Sequence, residues 1–402
     1  MRWGWPRKRC SVACRRRWVV AGCAFTKGSS VTENGPEEVW RIPIDRSQSP
    51  SREPGPIDLR RNFLQAAYSG IPTFMGVPVC LDQEDLRAGG VDVAVFGVPL
   101  DSSSGHRGAA YGPRALRSDE RYLFNTPELL VNASTRVSPF NLLKVVDYGD
   151  AAVDIFSVEK SLPSIAATVR EVADVGAVPV ILGGDHSLMI ASVGALADLY
   201  GPDKVGVVHF DAHPDCHEHI FGHRVTHGTP IWRLIEEKRI PGKNFVQVGL
   251  RTPTGPDDAL FNWMRRNGLR THFMVEIERR GFAAVLDKVI EEVLDGPEFV
   301  YLSLDIDVLD PAFAPGTGTP EPGGLTPREL FPAFRRLCAE TNVIGMDVVE
   351  VAPHLDPGYS TTMNARRAIF EGLTGLAMKK AGMVSADYVN PIASGQLKFP
   401  LT

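Results

Sequence analysis

Eight short apolar runs between residues 92 and 349, many of them separated by stretches of helical periodicity, constrain this chain more than any other feature. The runs are Asp92–Gly97, Val145–Asp147, Val178–Leu182, Gly206–Asp211, Phe245–Gly249, Thr271–Met274, Val300–Leu304 and Val343–Val349. Helical patterns lie at Leu162–Val175, Ala283–Leu294 and Arg328–Thr341. The last is announced by Thr326, Pro327 and Glu329, a capping box with proline in the first turn. Strands alternating with helices predict an α/β fold whose parallel sheet is covered on both faces. With no internal repeat and no linker, the pattern predicts one α/β domain over residues 71–395.

Open parallel sheets bind ligands at the carboxyl ends of their strands, and there the unusual polar residues gather. Val178–Leu182 runs into Gly183-Gly184-Asp185-His186-Ser187, Gly206–Phe210 into Asp211-Ala212-His213-Pro214-Asp215, and Val300–Leu304 into Asp305-Ile306-Asp307. In extended chain alternate side chains share a face, so Asp211, His213 and Asp215 point one way, as do Asp305 and Asp307. Buried carboxylates this dense repel one another unless cations neutralise them. Two divalent ions would do so, and an oxygen-dominated set with some imidazole favours Mn²⁺, with Ni²⁺ also possible, over thiolate-loving Zn²⁺. Any one of these pieces alone is more often a solvated turn; three strand ends together are harder to dismiss.

The segments GGDHS (183–187), DAHPD (211–215), HGTP (227–230), SLDIDVLDPAFAPGTGTPEPGGLT (303–326) and EVAP (350–353) resemble the signature set of the ureohydrolases, the arginase/agmatinase family. That resemblance implies a three-layer α/β/α fold around an eight-stranded parallel sheet, a dimanganese centre, and hydrolysis of a guanidino group to urea and an amine. It implies His186, Asp211, His213, Asp215, Asp305 and Asp307 as metal ligands. It also implies His227 as the proton donor to the departing amine and Glu350 as the carboxylate that pairs with the guanidinium. Asp185 is expected behind the ligands, orienting His186 or a neighbour. Chemistry agrees: a guanidinium is a poor electrophile, water needs its pKa lowered, and the leaving amine needs a proton. The family is commonly trimeric or hexameric, so a homo-oligomer is expected.

The substrate is read from the loop between Asp215 and His227. Its CHEHIFGHRVT (216–226) lacks the Asn/Ser/Thr-rich stretch with which arginases hold an amino-acid head, and FG…HGTP with VQVGLR (246–251) is closer to agmatinases and guanidinobutyrases. Agmatine is expected first, with guanidinobutyrate, guanidinopropionate or nickel-dependent hydrolysis of free guanidine as the alternatives. His106-Arg107-Gly108, His217, Glu218, His219 and Trp232 depart from the family pattern. A single-zinc deacylase and a metal-binding scaffold without turnover are the competing readings, and the full ligand set with His227 and Glu350 argues against both. His209 reads as a hydrogen-bonded core histidine, and Cys216, His217, His219 and His223 as loop variation rather than a zinc site.

Charge sets further limits. Residues 1–32 hold eight of the 43 Lys/Arg and none of the 48 Asp/Glu, leaving 35 basic against 48 acidic residues behind them. An acidic body suits a small cation and not a nucleic acid. The run Trp18–Phe25 is far too short to span a membrane. Residues 1–32 therefore read as a targeting segment or an over-long start, and 33–70 as an extended arm. Three of the six cysteines, Cys10, Cys14 and Cys23, fall in the basic segment, and Cys80, Cys216 and Cys338 form no disulfide framework. A cytoplasmic location is expected, or an organellar one if 1–32 is a transit peptide.

Overall fold

Branched and aromatic side chains crowd all eight runs, and each becomes a strand. These are β1 Val93–Val98, β2 Val145–Asp150, β3 Val178–Gly183, β4 Val205–Phe210, β5 Phe245–Leu250, β6 Arg270–Phe273, β7 Phe299–Asp305 and β8 Val343–Val349. The computed structural model describes residues 44, 51–64, 66–102, 104–118, 126–256 and 258–383. The basic segment 1–32, most of 33–50 and residues 384–402 lie outside these described residues.

The strands form one sheet in the order β2-β1-β3-β8-β7-β4-β5-β6, with every neighbouring pair parallel. Side chains alternate between two cores. Val93 and Val95 enter one with Val208 and Phe210, while Ala94, Phe96 and Val98 enter the other with Val205 and Val207. Helices Phe282–Val293, Pro327–Glu340 and Ser360–Lys380 close the first core, and helices Val158–Ala173 and Met189–Tyr200 close the second. Helix, sheet and helix make three layers.

Strand and helix bounds differ from expectation by a few residues. Helix Val158–Ala173 starts four residues before its periodic stretch because the Ser157 side chain accepts from the Lys160 N–H and caps it, with Pro163 inside. The capping box is present: the Glu329 carboxylate accepts from the Thr326 N–H at 2.8 Å. Met274 starts a helix instead of ending β6. In the arm, Ile57 bridges to Val79, and Arg60 holds Asp58 and Glu128 at 2.8 and 2.7 Å.

The topology concentrates chemistry. β3, β8, β7 and β4 are adjacent at the centre of the sheet, and their ends are level, with Leu182 beside Val348, Leu304 beside Phe210 and Asp305 beside Val349. The three acid- and histidine-bearing turns and Glu350 therefore emerge side by side.

Candidate metal centre

Glycine sets the first turn. A Cβ on Gly184 would lie 1.9 Å from the Leu100 carbonyl oxygen, and one on Gly183 would meet Val349 Cγ1 at 2.5 Å. Only glycines let β3 end this close to its neighbours. Asp185 then accepts from Ser187 N–H at 3.0 Å and from Ser102 Oγ at 2.7 Å, with further bonds from Ser102 N–H and Ser187 Oγ. Its carboxylate thus holds the backbone of the turn that carries His186, not the imidazole.

The His186 ring is held from behind. Its Nε2 lies 2.7 Å from Ser303 Oγ, Ser303 Oγ donates to Asp347 Oδ1 at 2.8 Å, and Tyr301 OH donates to Asp347 Oδ2 at 2.6 Å. Because the Ser303 proton goes to Asp347, Nε2 carries the hydrogen that Ser303 accepts, and the Nδ1 lone pair faces forward. There it meets Asp211 Oδ2 and Asp215 Oδ2 at 3.1 Å each and Asp305 Oδ2 at 3.4 Å.

A second group adjoins it. His213 Nδ1 lies 3.0 Å from Asp307 Oδ2 and 3.4 Å from Asp211 Oδ1. Asp305 Oδ1 accepts from Asp307 N–H at 2.9 Å, and Asp307 Oδ1 from Ala212 N–H at 3.1 Å. Among the described residues two clusters can each hold a cation, His186/His209/Asp211/Asp215 and Asp211/His213/Asp307, and Asp211 belongs to both. Asp305 touches the first through His186 and the second through Asp307. Neither cluster includes Cys216, His217, His219 or His223.

Electrostatics tests the fit. Burial, reinforced by Asp307 and Asp211, pushes the Asp305 carboxyl well above its ordinary range. Burial favours neutral His186, yet Asp211, Asp215 and Asp305 outweigh it and raise that imidazole well above 6.5. Against the same burial, Asp307 and Asp211 push His213 up to about 12. His186 Nδ1 and Asp211 Oδ2 are fully buried with no hydrogen-bond partner. Bare lone pairs facing bare carboxylate oxygens are what two divalent cations would satisfy.

His209 corrects an expectation. It is fully buried in β4, but neither ring nitrogen makes a hydrogen bond, so it is not a satisfied core histidine. Its Nε2 sits 3.1 Å from Asp211 Oδ2, and its ring stacks on His186 at 4.9 Å between centroids.

His227 and Glu350 border the same space, with His227 Nδ1 3.7 Å from Glu350 Oε1. The Ser104 N–H donates to His227 Nε2 at 3.1 Å, with Ser104 Oγ at 2.8 Å, so the neutral ring carries its proton on Nδ1. Glu350 Oε1 accepts from His186 N–H at 2.9 Å, while Oε2 is buried without a partner. Burial, then Asp185, pushes the Glu350 carboxyl well up. Asp215 and Glu350 both sit at left-handed backbone, with φ of 46° and 60°. Such strain in residues other than glycine clusters at functional sites. His213, Asp215 and His227 open onto a cavity of about 630 Å³.

Comparison with known proteins agrees with this geometry. Residues 91–374 match the profile of the Arginase family. The chain belongs to that family. It is 37% identical over 307 residues to the guanidinobutyrase of Pseudomonas aeruginosa, covering 76% of this chain and 92% of that one. It is 33% identical over 361 residues to the mitochondrial guanidino acid hydrolase of Homo sapiens, covering 90% and 98%. The solved proclavaminate amidino hydrolase of Streptomyces clavuligerus superposes with a TM-score of 0.68 at 35% identity, covering 78% of this chain and all of that one. As a member of the arginase family, the chain is a hydrolase with the arginase-like α/β fold. No described helix is long and apolar enough to cross a membrane.

Proposed function

We propose that this chain hydrolyses a C–N bond of a guanidino compound, releasing urea and an amine, and that agmatine, cleaved to putrescine, comes first among its substrates. One observation carries the reading: two His/Asp clusters share Asp211 beside a paired His227 and Glu350, and His213, Asp215 and His227 of this group line one cavity. His186, Asp211, His213, Asp215, Asp305 and Asp307 would hold the two cations. A pair of Mn²⁺ ions, with Ni²⁺ second, would when bound neutralise the carboxylates and acidify a water.

The chain's own groups do the rest. Glu350 Oε2, buried and unpaired beside His227, is an acceptor for a planar cation whose N–H groups need an anion. His227 holds a proton at Nδ1, fixed there by the Ser104 N–H, and faces the same space. That proton is placed for the departing amine. The Ser303–Asp347–Tyr301 relay keeps the His186 Nδ1 lone pair forward.

We place the enzyme in the cytoplasm as a homo-oligomer, with an organelle as its place if residues 1–32 prove to be a transit peptide. Urea release from agmatine, 4-guanidinobutyrate, 3-guanidinopropionate, arginine and guanidine, with Mn²⁺ and Ni²⁺ compared, tests the proposal. Urea from agmatine supports it in full, and no urea from any of the five refutes it.

A further inference from the structure

We infer that the stacked pair Trp232 and Trp263 is the specificity-determining wall of the cavity, reading the carbon chain that joins the substrate's guanidinium to its far end. This rests on the guanidino-hydrolase reading and deepens it: the substrate is a guanidinium on an alkyl spacer, and free guanidine is a poor one.

Three observations carry the inference. Trp232 and Trp263 stack at 4.2 Å between centroids with 12° between planes, and both line the cavity that His213, Asp215 and His227 open onto. The two indoles come from different elements, helix Pro230–Glu236 directly after the His227 turn and helix Ala259–Asn267. The second helix serves both core and cavity: Leu260 and Trp263 pack against the core edge and also face the open space. Ala259, Leu260 and Trp263 line the cavity at helical spacing, while Met264 is the helix's buried residue. Apolar surface held open at a pocket wall marks a site for apolar ligand atoms.

Size points the same way. A cavity of about 630 Å³ has room for about twenty waters at liquid density. A guanidinium held beside His227 would fill only a small part of it. Methylenes laid along the indoles would displace water from both surfaces, worth about fourfold in binding for each methylene fully buried. Binding of this kind acts on substrate and transition state alike and is read in KM more than in kcat.

The experiment is a chain-length series on the metal-loaded protein: guanidine, guanidinoacetate, 3-guanidinopropionate, 4-guanidinobutyrate and agmatine. In the wild type kcat/KM should climb with methylene number. In Trp263→Ala the preference for agmatine over guanidinoacetate should fall about tenfold or more, through KM, and Trp263→Phe, which keeps a flat ring, should recover most of it. Agmatine or 4-guanidinobutyrate should also perturb tryptophan fluorescence, a binding readout independent of turnover. A stack that only pins two helices would lower thermal stability and all substrates by one factor. That result overturns the inference, as does a wild type that hydrolyses guanidine as well as agmatine. Absence of urea from every compound refutes the guanidino-hydrolase reading instead, and the fluorescence titration still decides whether the wall binds the chain.

Discussion

Ser303→Ala deletes one oxygen, and the structure says what that costs. The hydroxyl accepts from His186 Nε2–H at 2.7 Å and donates to Asp347 Oδ1 at 2.8 Å, with all three residues fully buried. Removing it strands a buried donor and half of a buried carboxylate at once. Each orphaned group costs about 1–3 kcal/mol, so the fold should lose about 2–6 kcal/mol, with Asp347 still held by Tyr301 at 2.6 Å. The larger consequence lies in front of the ring. With nothing fixing the hydrogen on Nε2, the imidazole is free to put it on Nδ1, where it blocks the lone pair facing Asp211 and Asp215. Loss of such a supporting partner typically weakens metal affinity about 10–100-fold. The assay is calorimetric titration of Mn²⁺ into the stripped protein, with thermal melting of the apo form beside it. Metal affinity within about twofold of wild type would refute the relay, whatever the melting temperature does.

The remaining predictions concern the site and one loop behind it. His227→Ala should cut turnover about 10²–10⁴-fold while elemental analysis still finds two ions per chain; loss of metal there would make His227 a ligand. Asp305→Asn should lose metal, and normal stoichiometry would remove Asp305 from the ligand set. Dialysis against a chelator should abolish urea release and lower the melting temperature, because the buried carboxylates and imidazoles then face one another unscreened; an unchanged melting curve would count against bound cations. Burial alone would raise the Asp356 carboxyl, but donors from Thr361 at 2.7 and 2.8 Å and from Ser360 and Gly358 at 3.0 Å hold it below its ordinary value. Its stabilisation is therefore present above the unfolded value of about 3.9 and lost as pH falls through the folded one. The stability difference between wild type and Asp356→Asn should shrink below about pH 4; a difference constant from pH 7 to 3 would contradict this.

Much of the centre was legible because parallel strands place their following residues on one edge. Each of the motifs after β3, β4 and β7 reads as a turn by itself, yet the three ends converge. What could not be read was order in the sheet. β8 and β7 insert between β3 and β4, which makes Glu350 a neighbour of His186 across 164 residues of chain. The supporting residues were missed for different reasons. Asp347 stood in plain view as a carboxylate inside an apolar strand, a placement that requires partners. Ser303 and Ser104 carried no such signal, since a lone serine near a motif is ordinary. The unpaired nitrogens of His209 were equally hidden, because the sequence shows a histidine in a strand and not whether its ring finds a donor or acceptor.

The backbone at Asp215 and Glu350 shows how the fold maintains this arrangement. Left-handed conformations in such residues cost about 1–3 kcal/mol each and persist only where surroundings over-determine them. Here the surroundings are backbone bonds. Ile231 N–H donates to the Asp215 carbonyl at 3.1 Å, and Glu350 N–H donates to the Gly184 carbonyl at 2.8 Å. The second bond exists only because Gly184 has no Cβ, which would collide with Leu100. Glycine at 184, strain at 350 and the carboxylate's aim are thus one device. A substitution at Gly184 should act at Glu350, disturbing the proposed hold on the guanidinium from a residue that does not itself take part in it.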